Sequence, residues 1–139
     1  MLFIVFLALS LADLLEPMVR FYSGSHFFVE AGKIMDIETF RQMVAKKPDG
    51  FLGRYGLGDK LLKEGENLEE AAEHLRVAVE LDPVHVASHF ALGRALAGLK
   101  RNDEAKSVLT AGIEAALSGR SSGGGDLVPE MRALIQGLG

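Results

Sequence analysis

The sequence predicts an all-α protein: a right-handed stack of antiparallel helical hairpins, made of two repeat units with a capping helix on either side. Three observations carry that expectation. The stretch "RYGLGDKLLKEGENLEEAAEHLRVAVELDP" lies over "HFALGRALAGLKRNDEAKSVLTAGIEAALS", and self-similarity at this length marks stacked helical units. Leu57, Leu61, Leu62, Leu68, Ala71, Ala72, Leu75 and Val79 recur at three- and four-residue steps, the apolar stripe of packed helices. Finally, no long run alternates β-branched or aromatic residues with polar ones, so strands are not expected.

Bulk composition narrows the function classes. The 139 residues suit one domain, and 24% charged with 48% hydrophobic is ordinary for a globular chain. A net charge of −4 argues against nucleic acid as a partner, which calls for a basic stripe. With no cysteine there is no disulfide, zinc thiolate or cysteine nucleophile.

Residues 1–35 differ from the rest. Every one of the first twelve residues of "MLFIVFLALSLADLLEP" is apolar except Ser10, and Asp13 then interrupts the run. The run is shorter than the roughly 18–20 residues of a membrane-spanning helix. No Lys or Arg precedes it, as a signal peptide would require. Three readings fit: an atypical signal or anchor, an apolar helix covering one end of the domain, or translation starting at Met35. Cytoplasmic localisation is expected, with membrane anchoring or export as the alternative. Membrane association follows only if residues 1–16 are a real anchor.

The remaining elements follow in order. Residues 36–50 form an N-terminal capping helix, with Asp36 as its cap and Ile37, Phe40, Met43 and Val44 on one side. The first repeat unit occupies residues 51–83 and the second residues 84–117. Asn67 and Asn102 are expected to cap the second helix of each unit, with acidic residues in the first turn favouring the dipole. Asp82 is expected to cap the next helix, with Pro83 in its first turn. Residues 118–125, a Gly/Ser stretch, read as a flexible connector. Residues 126–139 form a C-terminal capping helix with Leu127, Met131, Leu134, Ile135 and Leu138 on one face. About three units are needed for a stable stack, so the flanking helices act as end caps or the chain pairs with another copy.

The stretch "GRYGLGDK" nearly matches a phosphate-binding loop. Gly53 and Gly58 have its spacing, but Asp59 stands where the lysine belongs and Leu61 replaces the magnesium-binding hydroxyl. A carboxylate there would repel phosphate. Gly58 and Gly93 fit better as sites where two helix backbones approach closely, at a propensity cost of ~1 kcal/mol each.

These residues resemble the tetratricopeptide repeat (TPR), a 34-residue unit of two antiparallel helices. Leu57-Gly58 and Leu92-Gly93 match its Leu-Gly pair, and lie 35 residues apart. Ala71 and Ala105 match the small residue opening the second helix, with Leu75 and Leu109 following, both pairs 34 apart. Ala78 matches the next small residue, where Gly112 departs from the pattern, and Asp82-Pro83 matches the unit's ending. The resemblance spans residues 51–116 and implies a non-catalytic module that holds a partner peptide or helix in a concave groove, without a cofactor. The groove-facing positions it implies are Leu52, Tyr55, Asp59 and Leu62, then Ala87, Phe90, Arg94 and Ala97. Tyr55 and Phe90 would give rigid apolar area, Asp59 and Arg94 directional polar contacts. A competing reading puts both aromatics in the core. Some members hold two carboxylates of a chaperone tail with lysine, asparagine and arginine. Here Tyr55 and Asp59 stand where the lysine and first asparagine would be.

The alternative function is a metal-binding or enzymatic helical protein using His85 and His89, whose four-residue spacing can hold a metal. No glutamate follows His85 and no third ligand is near, and His89 falls where the repeat has a bulky packing residue. His74 and the charged run Glu64 to Glu73 read as a solvated face. No Ser/His/Asp set has catalytic spacing, and no enzyme activity is expected. The partner is an unidentified protein or peptide, with self-association as a further possibility.

Overall fold

The computed structural model describes residues 35–139. Apart from Met35, the apolar segment read at residues 1–35 lies outside them. Six α-helices follow one another: α1 (Ile37–Lys46), α2 (Phe51–Glu64), α3 (Leu68–Leu81), α4 (Val86–Gly98), α5 (Asn102–Leu117) and α6 (Val128–Gly137). A 3₁₀ turn at Gly125–Leu127 leads into α6, and no strand is present among the described residues. Helices α2 and α3 pack as one hairpin and α4 and α5 as the next, with α3 against α4 and α2 beside α4. Thus the all-α stack of helical hairpins is the observed architecture.

The two glycines do what close approach requires. A Cβ on Gly58 would stand 2.5 Å from Leu75 Cγ, and one on Gly93 would stand 2.5 Å from Leu109 Cδ2. Leu75 and Leu109 are therefore knobs of equivalent register, each seated on the glycine of its own hairpin. Between the hairpins lies the main core: Ala72 and Leu75 of α3, Ala91, Leu92, Ala95 and Leu96 of α4, and Ala105 of α5. A second cluster joins Val86, Leu109 and Met131, and so fixes α6 to the last hairpin. Gly112 departs from the expected small alanine because its notch holds the Met131 methyl and the His89 Cβ.

Helix α1 packs against α2, with the Phe40 ring on Gly56 and Val44 Cγ2 near Gly53. It holds the register of a second repeat helix. Phe40 and Pro48 stand 35 residues before Leu75 and Pro83. Glu38, Arg41 and Gln42 are exposed on α1, and Arg41 pairs with Glu70 of α3 at 3.1 Å.

The helix ends correct two sequence expectations. Asn67 does cap α3, its side chain accepting from the Glu70 N–H at 3.2 Å. Asn102 does not cap α5; Arg101 stands at that position without a side-chain cap bond. The reason is the single residue by which the units differ. Helix α2 ends in a Schellman turn, with Gly65 at φ 71° and bonds from Gly65 N–H to Leu62 O and Glu66 N–H to Leu61 O. Helix α4 ends the same way, with Lys100 at φ 62° and bonds from Lys100 N–H to Ala97 O and Arg101 N–H to Leu96 O. One residue fewer follows, so Asn102 falls inside the first turn. Arg101 instead holds Glu104 through two hydrogen bonds, of 2.7 and 2.8 Å.

Nor does Asp82 cap α4. It closes α3, accepts from the Val84 N–H at 3.3 Å, and leaves the cap of α4 to His85. The connector at residues 118–125 is also tied down. Ser122 donates its hydroxyl to Asp82 Oδ2 at 2.7 Å and its N–H to Val84 O, while the Ala87 N–H donates to Gly123 O. His85 and Gly123 form a short parallel bridge. Glycines at 123–125 let this segment lie flat on the start of α4.

Candidate functional site

Helices α2 and α4 lie side by side as the first helices of the two units, so residues on their shared face form the candidate groove. The eight positions expected there divide into different environments. Leu52 is the most open, 57% exposed for a large apolar side chain. Tyr55 is half-buried and packs partly against the main core. Its ring stacks on Phe51 at 5.7 Å with planes 6° apart, and His85 meets both rings edge-on at 4.9 and 5.0 Å. Burial, and then the Asp59 carboxylate, raise the Tyr55 phenol above its ordinary value, so its hydroxyl stays a donor at neutral pH.

Asp59 is paired with Lys63 at 2.7 Å, one turn further along α2. Leu62 and Ala97 are half-buried against the main core. Phe90 is half-buried against the Val86, Leu109 and Met131 cluster, and the exposed Arg94 guanidinium sits over its ring, 5.7 Å from the centroid. Tyr55 and Phe90 are thus both partly core and partly surface. Ala87 is half-buried, with the returning loop against it: a Cβ on Gly124 would stand 3.1 Å from the Ala87 Cβ. That end of the groove is bounded by the chain itself.

His85 belongs to this site through its ring. Its Nδ1 accepts from the Ser88 N–H at 3.2 Å and from the Ser88 hydroxyl at 2.8 Å. Nδ1 therefore carries no proton, and Nε2 holds it, facing Gly123. Burial lowers its pKa from the ordinary histidine value, His89 adds to that, and Asp82 opposes it. The ring is a neutral cap. Sequence reasoning missed Phe51 and His85 as groove members. The signal for Phe51 was its four-residue spacing from Tyr55, whereas the His85 contact depends on where the Asp82–His85 turn delivers the ring.

The metal alternative finds no support in this geometry. His85 uses Nδ1 to cap a helix, and His89 donates from Nε2 to Pro83 O at 2.9 Å. His89 is only 5% exposed, with its Cβ in the Gly112 notch, the packing position the repeat pattern implied. Among the described residues no three His, Asp or Glu side chains converge as metal ligands. His74, read as solvated, is instead only 14% exposed at its side chain and accepts from Arg54 at 2.9 Å through Nδ1. Burial, then Arg54, lower its pKa.

Comparison with known proteins agrees with the fold. A TPR repeat-containing protein of Pseudomonas aeruginosa is 46% identical over 61 residues, which is 44% of this chain and 57% of that protein. The match thus spans little more than half the relative's length. The TPR2B domain of yeast Sti1, solved as a complex with pHsp70, superposes with a TM-score of 0.65 over 81% of this chain and 87% of that one. At 19% identity, this likeness is one of fold. The family described as Tetratricopeptide repeat matches residues 37–83 and 55–117. The first match takes in α1, in keeping with its Phe40 and Pro48 register. Together the two matches cover more than half of the chain, which therefore belongs to the tetratricopeptide repeat family.

Proposed function

We propose that this protein is a non-catalytic interaction module that binds a partner peptide or helix along the face shared by α2 and α4. The observation carrying this reading is the pairing of an exposed Leu52 with a partly exposed aromatic set on one helix face. Water-exposed large apolar side chains backed by rigid rings are suited to burial against a partner. Repeat stacks of this family generally act through such surfaces, and the Sti1 domain was solved with a bound partner. The chaperone-tail mode does not transfer. A second carboxylate-binding group is absent at Tyr55, and Asp59 would repel a carboxylate.

The test is a pull-down with the full chain, followed by titration of each captured protein in purified form. Leu52→Ser, at an exposed position, is expected to weaken binding by about tenfold, the scale of one interface anchor. Glu73→Ser, exposed on α3, is expected to leave it unchanged. Equal affinities for wild type and Leu52→Ser would remove the groove from the account.

A further inference from the structure

We propose that residues 121–124 form a proton-operated strap: neutral His85 holds the strap down on the start of α4, and protonation of that ring releases it. No partner on the α2–α4 face is needed for this. Past Ser118, among the described residues, every hydrogen bond from the connector to the helical stack ends on residues 82–87. The Ser122 hydroxyl donates to Asp82 Oδ2 at 2.7 Å and the Ser122 N–H to Val84 O at 3.2 Å. The Ala87 N–H donates to Gly123 O at 3.4 Å. The His85 ring lies directly beneath, since a Cβ on Gly123 would stand 3.3 Å from its Nε2.

The first turn of a helix has N–H groups without partners inside the helix. In α4 the ring and the strap share them: His85 Nδ1 accepts from the Ser88 N–H at 3.2 Å, and Gly123 O takes the Ala87 N–H. A proton on Nδ1 would set one N–H against another. The Ser88 hydroxyl, 2.8 Å from Nδ1, can reverse its bond, but the backbone N–H cannot. The new charge would also stand at the N-terminus of α4, where the helix dipole disfavours a cation. The imidazolium therefore has to turn away, and Asp82 is the anion whose charge acts on it. Pairing with Asp82 competes with Ser122 for the carboxylate. One proton thus undoes both the cap and the tie.

The surroundings set the direction of the switch. From α2 the ring meets Phe51 and Tyr55, whose phenol stays protonated, while Asp59 is engaged by Lys63. His89, on α4, donates from Nε2 to Pro83 O and disfavours a charge on His85. Arg120 of the connector, Asp126 of the 3₁₀ turn, and Glu130 and Arg132 of α6 are exposed, and none of them is among the charges that shift the ring. Burial is the largest influence and lowers the His85 pKa; only Asp82 opposes it. Closure of the strap is therefore complete above the ordinary histidine value near ~6.5. It is lost as pH falls through the lower value of the closed form.

The experiment follows backbone amide exchange and the histidine ring resonances of the full chain by NMR, from about pH 8 to about pH 5. Protection of the Ala87 and Ser122 amides, corrected for intrinsic exchange rates, is expected to fall about tenfold on acidification. The fall should track the titration of the His85 ring, while Leu92 and Leu109 inside their helices stay protected. His85→Asn keeps a capping acceptor and is expected to hold the strap at both ends of the range. Ser122→Ala is expected to lose protection at Ala87 even at neutral pH, with helicity unchanged. Protection at Ala87 and Ser122 that ignores the His85 titration overturns the proposal. So does a fall that tracks the His74 or His89 ring instead, one shared equally by Leu92 and Leu109, or one that persists in folded His85→Asn. Where His85→Asn does not fold, the wild-type titration decides by itself.

Discussion

Replacing Gly58 by alanine sets two opposing effects against each other. In a helix interior the change gains ~1 kcal/mol of propensity. The new methyl, however, would stand 2.5 Å from Leu75 Cγ and 3.0 Å from Ala71 O. Comfortable carbon–carbon contact lies near 3.5–4.0 Å, so α2 and α3 must part by about 1 Å or Leu75 must leave its rotamer. Neither neighbour is a free chain end: one is a branch carbon and the other is backbone. Overpacking of this kind costs about 1–3 kcal/mol, which leaves a net loss of about 0–2 kcal/mol. Gly98→Ala provides the control, because its methyl meets only a terminal methyl of Leu68 at 2.8 Å, which can swing aside. That variant is expected to be neutral or stabilised by up to ~1 kcal/mol. Urea unfolding of the full chain measures both, and each kcal/mol moves Tm by about 4–8 °C in a domain near this size. A double-mutant cycle with Leu75→Ala tests the cause directly, since removing the Cγ makes room for the methyl. If Gly58→Ala matches Gly98→Ala and shows no coupling to Leu75, the close-approach explanation of both repeat glycines is wrong.

Two further outcomes are expected. His85 has a lowered folded pKa, so folding favours its neutral form. Its contribution is complete above the unfolded value near 6.5 and is lost as pH falls below it, while the unfolded chain takes up the proton first. His85→Asn keeps a capping side chain without titrating, so its stability should fall less steeply below pH 6.5 in chemical denaturation; the remaining slope includes His74, whose pKa is also lowered. Lys100 holds a left-handed conformation at φ 62°, which costs a non-glycine residue about 1 kcal/mol. Lys100→Gly, matching Gly65 of the first unit, is expected to raise Tm by a few degrees in calorimetry; an unchanged or lower Tm would show that the turn is relaxed with lysine.

What could be read from the chain depended on how local the determining contacts are. Leu57-Gly58, Leu92-Gly93 and the alanines opening α3 and α5 were legible because the same hairpin pattern occurs twice in the chain. The caps at Asp82 and Asn102 were misread because a cap depends on the turn geometry: one residue fewer puts Asn102 inside α5, and the Asp82–His85 turn passes the cap of α4 to His85. Connector residues 118–125 have the composition of a flexible linker, yet Ser122 and Gly123 bond to residues about forty positions earlier. No compositional rule reports a pairing over that distance. His74 was taken as solvated because its own helix face is charged, but Arg54 of the preceding helix reaches across to cover it. The register of α1 was visible in the Pro48 and Pro83 spacing, although the short α1 pattern lacks the Leu-Gly pair that made the other units stand out.

The repeat also explains why the candidate site is one-sided. Equivalent positions carry Leu52 and Ala87, Tyr55 and Phe90, Asp59 and Arg94, and Leu62 and Ala97. The backbone scaffold is nearly symmetric, whereas the side chains are not. On α2 the face is bulky, apolar and locally neutral, because Lys63 answers Asp59. On α4 it is smaller and cationic, with its first position against the returning loop. Two different chemistries therefore lie side by side on α2 and α4. The residues shared by the two units build the scaffold, and the residues that differ give each helix face its own chemistry.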